Sequence, residues 1–330
     1  MKVGIIGTGL MAEIYSDIIK KSPYQLSGVL GNTEKKTTDF AKKYDIDYVV
    51  ESDYEKFFNE FDFDTVIITT PEWVRLDPIK FSVDFNKHII LEKPFSSSWS
   101  EALELQDVLK DHKKALFLCH VLRYSPRFHP VINLLEDKKI FHIDSSRNSN
   151  KERFKRIQNK CDPCFWLAPH DVDMILHLMK DEVDTVFAIT NSSSQFKDLL
   201  SVMIRFKNNK SATFRNIWGT PPISNISKGA YFNIWHDEGA VEIDDSNMNI
   251  RIFNDAEVTS MDSYEDFFIF DTRSGFFKPM LEHFLYSISK GEYDCNLELK
   301  NALKVTEVCQ MISRSISEKR EISKEDMRWT

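Results

Sequence analysis

Apolar positions along this chain fall into two regimes. Through the first third, short runs that are apolar at almost every position alternate with longer stretches in which apolar residues return every three or four positions. The runs are Lys2 to Ile6, Gln25 to Leu30, Asp47 to Val49, Asp64 to Thr69, His88 to Leu91 and Ala115 to Leu118. The stretches between them, LMAEIYSDIIK from Leu10 being the first, have helical spacing. A strand buried on both faces reads as a continuous apolar run, so this alternation predicts helices around a parallel sheet of six strands.

After Leu118 the period shifts. A helix is predicted from Ser125-Pro126, with proline in its first turn, to about Asp137. Runs of period two follow at Phe141 to Arg147, Glu182 to Thr190, Leu200 to Phe206, Ala212 to Trp218, Ala230 to His236 and Ala240 to Ile243, with Asn208-Asn209 as a hairpin turn. Two last helices are predicted over about Phe276 to Ser289 and Leu297 to Ser317. The expected class is α/β: a parallel-sheet domain over residues 1–119, then an α+β domain over 120–330 built on a large, mostly antiparallel open sheet. An open sheet face predicts a homodimer or homotetramer.

Charge and composition narrow the partners. A formal net charge of -8 argues against a nucleic-acid binder, which needs a basic face for phosphates. No apolar run approaches the roughly 18 residues that span a bilayer, and MKVGIIG reads as a strand and not a signal peptide, so no membrane partner and a cytoplasmic location are expected. Five cysteines, an odd number spread over the chain, read as reduced thiols.

Of only ten glycines, Gly4, Gly7 and Gly9 stand in the first nine residues. Gly7-Thr8-Gly9-Leu10-Met11-Ala12 is G-x-G-x-x-A between a strand and a helix, the pattern in which glycines permit a tight turn and let a pyrophosphate approach the backbone. The helix N-terminus adds free N–H donors, so the first domain is read as a Rossmann dinucleotide-binding domain with Thr8, Leu10 and Met11 along the phosphates. NAD-binding domains of this kind usually end the second strand on a carboxylate; here Gly31 holds that place, followed by Asn32, Thr33, Lys35 and Lys36. That favours NADP, with NAD held through Glu34 or a backbone group as the alternative. Farther on, HIILEKPFS puts Glu92-Lys93-Pro94 at the carboxyl end of the fifth strand, where ligands of open parallel sheets bind. Pro94 stiffens the turn, and Lys93, aimed at the nicotinamide end, can bind a substrate hydroxyl and pass its proton.

In GIIGTGLMA, DTVIITTPEW, LEKPFSSSWSEALEL, the RYSP segment from Arg123, WLAPHDVDMILHLM and WHDEGAVEID, the chain resembles the Gfo/Idh/MocA family, named for glucose–fructose oxidoreductase and inositol dehydrogenase. The resemblance covers nearly the whole chain. It implies that Lys93 is the catalytic lysine and that Thr70, Pro71 and Glu92 lie along the cofactor. It also implies that the second domain's open sheet serves substrate binding and oligomer contacts. His170, expected in the first turn of a helix starting near Pro169, is the matching histidine and the candidate proton carrier. Two departures stand out. The family aspartate four residues before that histidine is Trp166, and the family histidine five residues after Thr70 is Arg75, read either as a cofactor or anion contact or as a plain surface arginine. Asp171 and Asp173 are read as helix-dipole or capping residues.

FHIDSSRNSN, the basic segment KERFKRIQNK and WLAPHD together look most like nucleotide-sugar 3-dehydrogenases of bacterial surface-polysaccharide pathways. Arg123, Tyr124 and Arg147 join Trp166 and His170 as candidate substrate contacts, and Trp218 and Trp235 as aromatic faces for a sugar. A free polyol, cyclitol or dihydrodiol is the alternative substrate, and a non-catalytic dinucleotide-binding sensor the alternative role. Cys161, Cys164, His170 and His177 offer zinc ligand types, but the histidine spacing is too long and no second C-x-x-C exists.

Overall fold

The computed structural model describes residues 1–49, 53–150, 152, 155, 162–191, 199–220, 229–244, 250–253, 258–261 and 264–329. They form two compact units, Met1–Val121 with Glu265–Leu303, and Leu122–Tyr264 with Lys304–Thr330.

The first unit begins with β1 (Lys2–Ile6), α1 (Leu10–Lys20), β2 (Gln25–Leu30), α2 (Glu34–Tyr44), β3 (Asp47–Val49) and α3 (Tyr54–Glu60). It continues with β4 (Thr65–Ile68), α4 (Leu76–Asp84), β5 (His88–Leu91), α5 (Trp99–Leu109) and β6 (Leu116–Leu118). The strands lie in the order β3-β2-β1-β4-β5-β6, every pairing parallel. The order reverses at β1, so the carboxyl ends of β1 and β4 flank the crevice where such sheets take ligands. Val3, Ile5, Val66, Ile67, Ile89 and Ile90 are fully buried, as covering on both faces requires.

In the second unit α6 covers only His129–Leu134. The helix expected from Ser125 is shorter than its pattern because the Ser125 hydroxyl accepts from the Arg127 amide (3.2 Å), a local bond that competes with the helical ladder. Strand β7 (Ile140–Asn150) and helix α7 (Ala168–Met179) follow, then β8 (Val183–Asn191), β9 (Leu199–Phe206), β10 (Ser211–Thr220), β11 (Gly229–His236) and β12 (Gly239–Asp244). Beyond them come the hairpin of β13 (Ile250–Phe253) and β14 (Val258–Met261), then β15 (Phe267–Ile269) and β16 (Thr272–Ser274), α8 (Phe277–Lys290), α9 (Cys295–Glu318) and β17 (Ile322–Ser323). The large sheet runs β12-β11-β7-β10-β9-β8-β17, antiparallel except for the β7–β10 pair. Its inward positions, among them Ile143, Phe214, Val202, Phe232 and Ile234, are buried, whereas Phe187, Ile189 and Met203 are exposed on the opposite side.

Where the sequence suggests one boundary, at residue 119, the chain crosses between the units three times, after Val121, Tyr264 and Leu303. Residues 265–303 return to the first unit, where Cys295, Leu299 and Ala302 join its core beside Leu116 and Leu118. Among the described residues no helix is long and apolar enough to cross a membrane.

Candidate functional site

The glycine turn in the first unit has the shape its residues demand. Gly7 sits at φ +113°, its N–H donates to the Leu30 carbonyl (2.8 Å), and a Cβ there would lie 2.4 Å from the Thr69 hydroxyl. Only glycine fits. Gly9 caps α1, and a Cβ on it would meet nothing within 4 Å, so open space lies in front of the free N–H groups of that helix. Thr8 and Met11 are half-buried and Leu10 exposed beside this space. Thr70 closes a turn at the end of β4, its hydroxyl donating to the Val74 carbonyl (2.6 Å) and the Val74 amide to that of Pro71 (2.9 Å).

At the end of β2, a Cβ on Gly31 would lie 2.0 Å from the Thr37 hydroxyl, which is itself committed to the Thr33 carbonyl (2.8 Å). Packing therefore excludes a carboxylate from the position where an NAD-type acid would stand. Asn32, Thr33, Glu34, Lys35 and Lys36 are all exposed around it.

Lys93 is half-buried at the carboxyl end of β5, and the Lys93–Pro94 bond is cis. Beneath it lies a buried polar group that sequence did not disclose. The Tyr15 hydroxyl, on the inner face of α1, donates to the Glu92 carboxylate. Arg75 is no surface arginine: it is 2 % exposed, and its guanidinium reaches the carbonyls of Ile68 (3.3 Å) and Lys93 (3.5 Å). Glu72 and Cys119 are buried in the same unit. Burial pushes the Glu92 carboxyl above its ordinary range, while the Tyr15 hydroxyl and the charges of Lys93 and Arg75 pull it back. Burial also drives Tyr15 and Cys119 well up, and lowers Arg75 against the opposing charges of Glu92 and Glu72. No motif marked Tyr15; its place in the apolar stripe of α1 signalled only a core position.

In the second unit, α7 carries His170 in its first turn, half-buried, its amide donating to the Leu167 carbonyl (3.2 Å). The two aspartates after it do more than cap or serve the helix dipole. Asp171, 0 % exposed, accepts from Arg147 Nε (3.0 Å) and Nη2 (3.3 Å), from Asn216 Nδ2 (2.9 Å) and from the Ser145 hydroxyl (3.4 Å). Asp173 takes Arg123 bidentately through Nε (3.0 Å) and Nη2 (2.6 Å). Both arginines expected at the substrate are thus held by carboxylates of one helix. His177 is pushed down to about 4, by burial first and then by the charge of Arg123. Tyr124 is half-buried in the short 3-10 turn Val121–Tyr124. Trp166 packs on Trp218, ring centroids 5.0 Å apart. Trp218 is 2 % exposed, a core residue and not a face for a sugar. Trp235 lies beside His142 (centroids 5.3 Å apart), and strand alternation puts it on the sheet face opposite Phe232 and Ile234.

The zinc alternative and the basic segment reach beyond the described residues: Cys161 and all of KERFKRIQNK except Glu152 and Lys155 lie outside them. Asp162, inside the C-x-x-C, accepts from the Cys164 amide (3.0 Å) and the Ser313 hydroxyl (2.7 Å).

Residues 1–120 match the family described as "Oxidoreductase family, NAD-binding Rossmann fold", and residues 139–242 match the GFO/IDH/MocA C-terminal domain. A 2,7-anhydro-N-acetylneuraminate hydratase of Mediterraneibacter gnavus is 23% identical over 66% of this chain and 60% of that protein. The scyllo-inositol 2-dehydrogenase (NADP(+)) IolW of Bacillus subtilis is 24% identical over 54% of this chain and 51% of its own length. The chain thus spans 60% and 51% of the lengths of these two relatives. A scyllo-inositol dehydrogenase from Lactobacillus casei, solved with NAD(H) and scyllo-inositol, superposes with a TM-score of 0.82 at 16% identity, covering 98% of each chain.

Proposed function

The chain belongs to the GFO/IDH/MocA family of oxidoreductases, and from that premise we propose that it is an NAD(P)-dependent dehydrogenase acting on a ring hydroxyl of a sugar or polyol. The observation that carries the reading is Lys93 at the carboxyl end of β5, on the same sheet edge as the glycine turn. The residues present fit a dinucleotide: the open space before Gly9 and the free N–H groups of α1 suit a pyrophosphate, and Glu92 and the Thr70-Pro71 turn lie at neighbouring strand ends. A bound nicotinamide supplies the hydride acceptor, or the donor in the reverse direction.

The chain's own residues supply the rest. Lys93 Nζ accepts the hydroxyl proton as the ring carbon gives up its hydride, and returns it in the reverse direction. His170 is the second proposed proton carrier. NADP is the proposed cofactor: Gly31 and Thr37 exclude a repelling carboxylate, leaving Asn32, Thr33 and Lys35 to receive a 2′-phosphate. The NADP-linked relative from Bacillus subtilis supports this choice.

For the substrate, a nucleotide-linked sugar would draw on the basic segment from Lys151, most of which lies outside the described residues, and on Arg123 and Arg147, each of which faces a buried aspartate. That pairing favours the alternative, a neutral polyhydroxylated ring, which the inositol dehydrogenases among the similar proteins also support.

The test follows absorbance of reduced nicotinamide with NAD and NADP against scyllo-inositol, myo-inositol and a set of nucleotide sugars. NADP-linked turnover of a polyol is expected, falling at least about 100-fold in Lys93→Met. Unchanged turnover in that variant would remove Lys93 from the chemistry. Intact cofactor binding with no turnover on any substrate would favour the non-catalytic sensor.

A further inference from the structure

Next to Lys93 a set of buried groups gathers around Glu92 from three elements. From α1 comes Tyr15, fully buried, whose hydroxyl donates to the Glu92 carboxylate. From the start of α4 comes Arg75, reaching the main-chain carbonyl of Lys93 (3.5 Å), with Glu72 buried near it. From the end of β6 comes Cys119, close enough to both Tyr15 and Glu92 to act on each electrostatically. The Tyr15–Glu92 bond joins the helix that follows the glycine turn to the residue covalently next to Lys93.

We propose that Tyr15 is a positioning residue: its hydroxyl holds the Glu92 carboxylate, and through Glu92 it sets the charge beside which Lys93 takes up and releases its proton. This rests on the reading of Lys93 as the proton-transferring group, and it adds a residue that no dinucleotide or lysine motif contains. A carboxylate removed from water is costly to keep ionised unless donors compensate, and one bond from a buried phenol favours the ionised form. An ionised Glu92 in turn favours the ammonium form of its neighbour. The charges facing Glu92 are those of Lys93 and Arg75, and the neutral hydroxyl and thiol facing it are those of Tyr15 and Cys119. The Tyr15 hydroxyl donates to Glu92 from a side chain, and the Lys93 backbone N–H also favours its ionised form.

The sign follows. In Tyr15→Phe the Glu92 carboxylate loses the hydroxyl that holds it in place, so the counter-charge it presents to Lys93 is weakened. In Glu92→Gln the charge of this carboxylate is gone altogether. The midpoint at which Lys93 gives up its proton therefore falls in both variants, by about one pH unit in Glu92→Gln and by less in Tyr15→Phe.

The measurement needs no substrate. Brief pulses of isotope-coded acetic anhydride across a pH series acylate only the neutral amine, and mass spectrometry of the peptide containing Lys93 gives its midpoint in the wild type, Tyr15→Phe, Glu92→Gln and the double variant. Circular dichroism checks each fold, and either single variant suffices for the direction. The expected result is a lower midpoint in both single variants, with the double variant equal to Glu92→Gln, because Tyr15 acts only through that carboxylate. An unchanged or raised midpoint in the folded single variants overturns the proposal, as does a double variant whose shift is the sum of the two. Turnover of Lys93→Met decides the catalytic reading separately, so the two cannot fail for the same reason.

Discussion

Removing the guanidinium of Arg147 is expected to destabilise the second unit severely while leaving a remedy in the neighbouring residue. Asp171 is 0 % exposed and Arg147 only 11% at the side chain, and two of the four donors to Asp171 are guanidinium nitrogens. In Arg147→Met the carboxylate keeps Asn216 and the more distant Ser145 hydroxyl, but loses its counter-charge. Stranding one member of a buried pair costs about 3–5 kcal/mol. Domain stabilities are about 5–15 kcal/mol, so the variant is expected to lose a large part of its margin. Replacing both partners, Arg147→Met with Asp171→Leu, removes the buried charge altogether, a change that ranges from neutral to about 4 kcal/mol favourable. Against that stands the Asn216 amide left without its acceptor, a cost of about 1–3 kcal/mol. The double variant should therefore lie within about 3 kcal/mol of the wild type, and because Asp171→Leu alone strands Arg147 at about 3–5 kcal/mol as well, the coupling between the two sites is at least about 3 kcal/mol. Urea denaturation followed by circular dichroism, with midpoint and slope both fitted, measures all four proteins. A single variant that loses less than about 1 kcal/mol, or a double variant that loses the sum of the singles, would refute the argument.

Two further outcomes follow from the first unit and from the titrating histidines. Gly7→Ala should lower the melting temperature and weaken NADP binding, because its Cβ meets Thr69 at 2.4 Å, whereas Gly9→Ala, with nothing within 4 Å, should keep the melting temperature and weaken only the cofactor; a fluorescence titration beside a thermal melt separates the two. His88, pushed down to about 4 by burial and Lys114, and His177, pushed down to about 4 by burial and Arg123, stay neutral in the fold at pH values where the unfolded chain takes up protons. Unfolding free energy is therefore expected to fall as pH drops from about 6.5 toward 4, and the fall should flatten in a His88→Gln/His177→Gln variant; an equally steep loss there would place the acid sensitivity elsewhere.

The glycine turn, the alternation of the first domain and the order of its motifs were legible along the chain because the physics that fixes them is local. A tight turn at positive φ selects glycine whatever lies beyond it, and a strand covered on both faces must be apolar throughout. The period-two strands of the second domain were legible for the same reason, and their observed limits differ from the expected ones by three residues at most. Helix α6 was overread because a serine and a proline satisfy the rule for a helix start equally well when the serine hydroxyl is holding a turn.

What the tertiary structure alone decided is which polar residue answers which. Asp171 and Asp173 follow the candidate proton carrier in sequence, yet their partners lie 24 and 50 residues away, and no spacing rule connects a helix to the strand or turn it packs on. Arg75 carries the same charge on a surface as in a core; only the fold put it beneath Lys93, against two carbonyls. Tyr15 looked like any apolar-face aromatic until the end of β5 arrived opposite its hydroxyl. Residues 265–303 return to the first unit because α8 and the first turns of α9 can bury their apolar faces there. Sequence thus determined the elements and the positions of the chemistry, which depend on neighbours along the chain. The charge environment of that chemistry depends on neighbours in space.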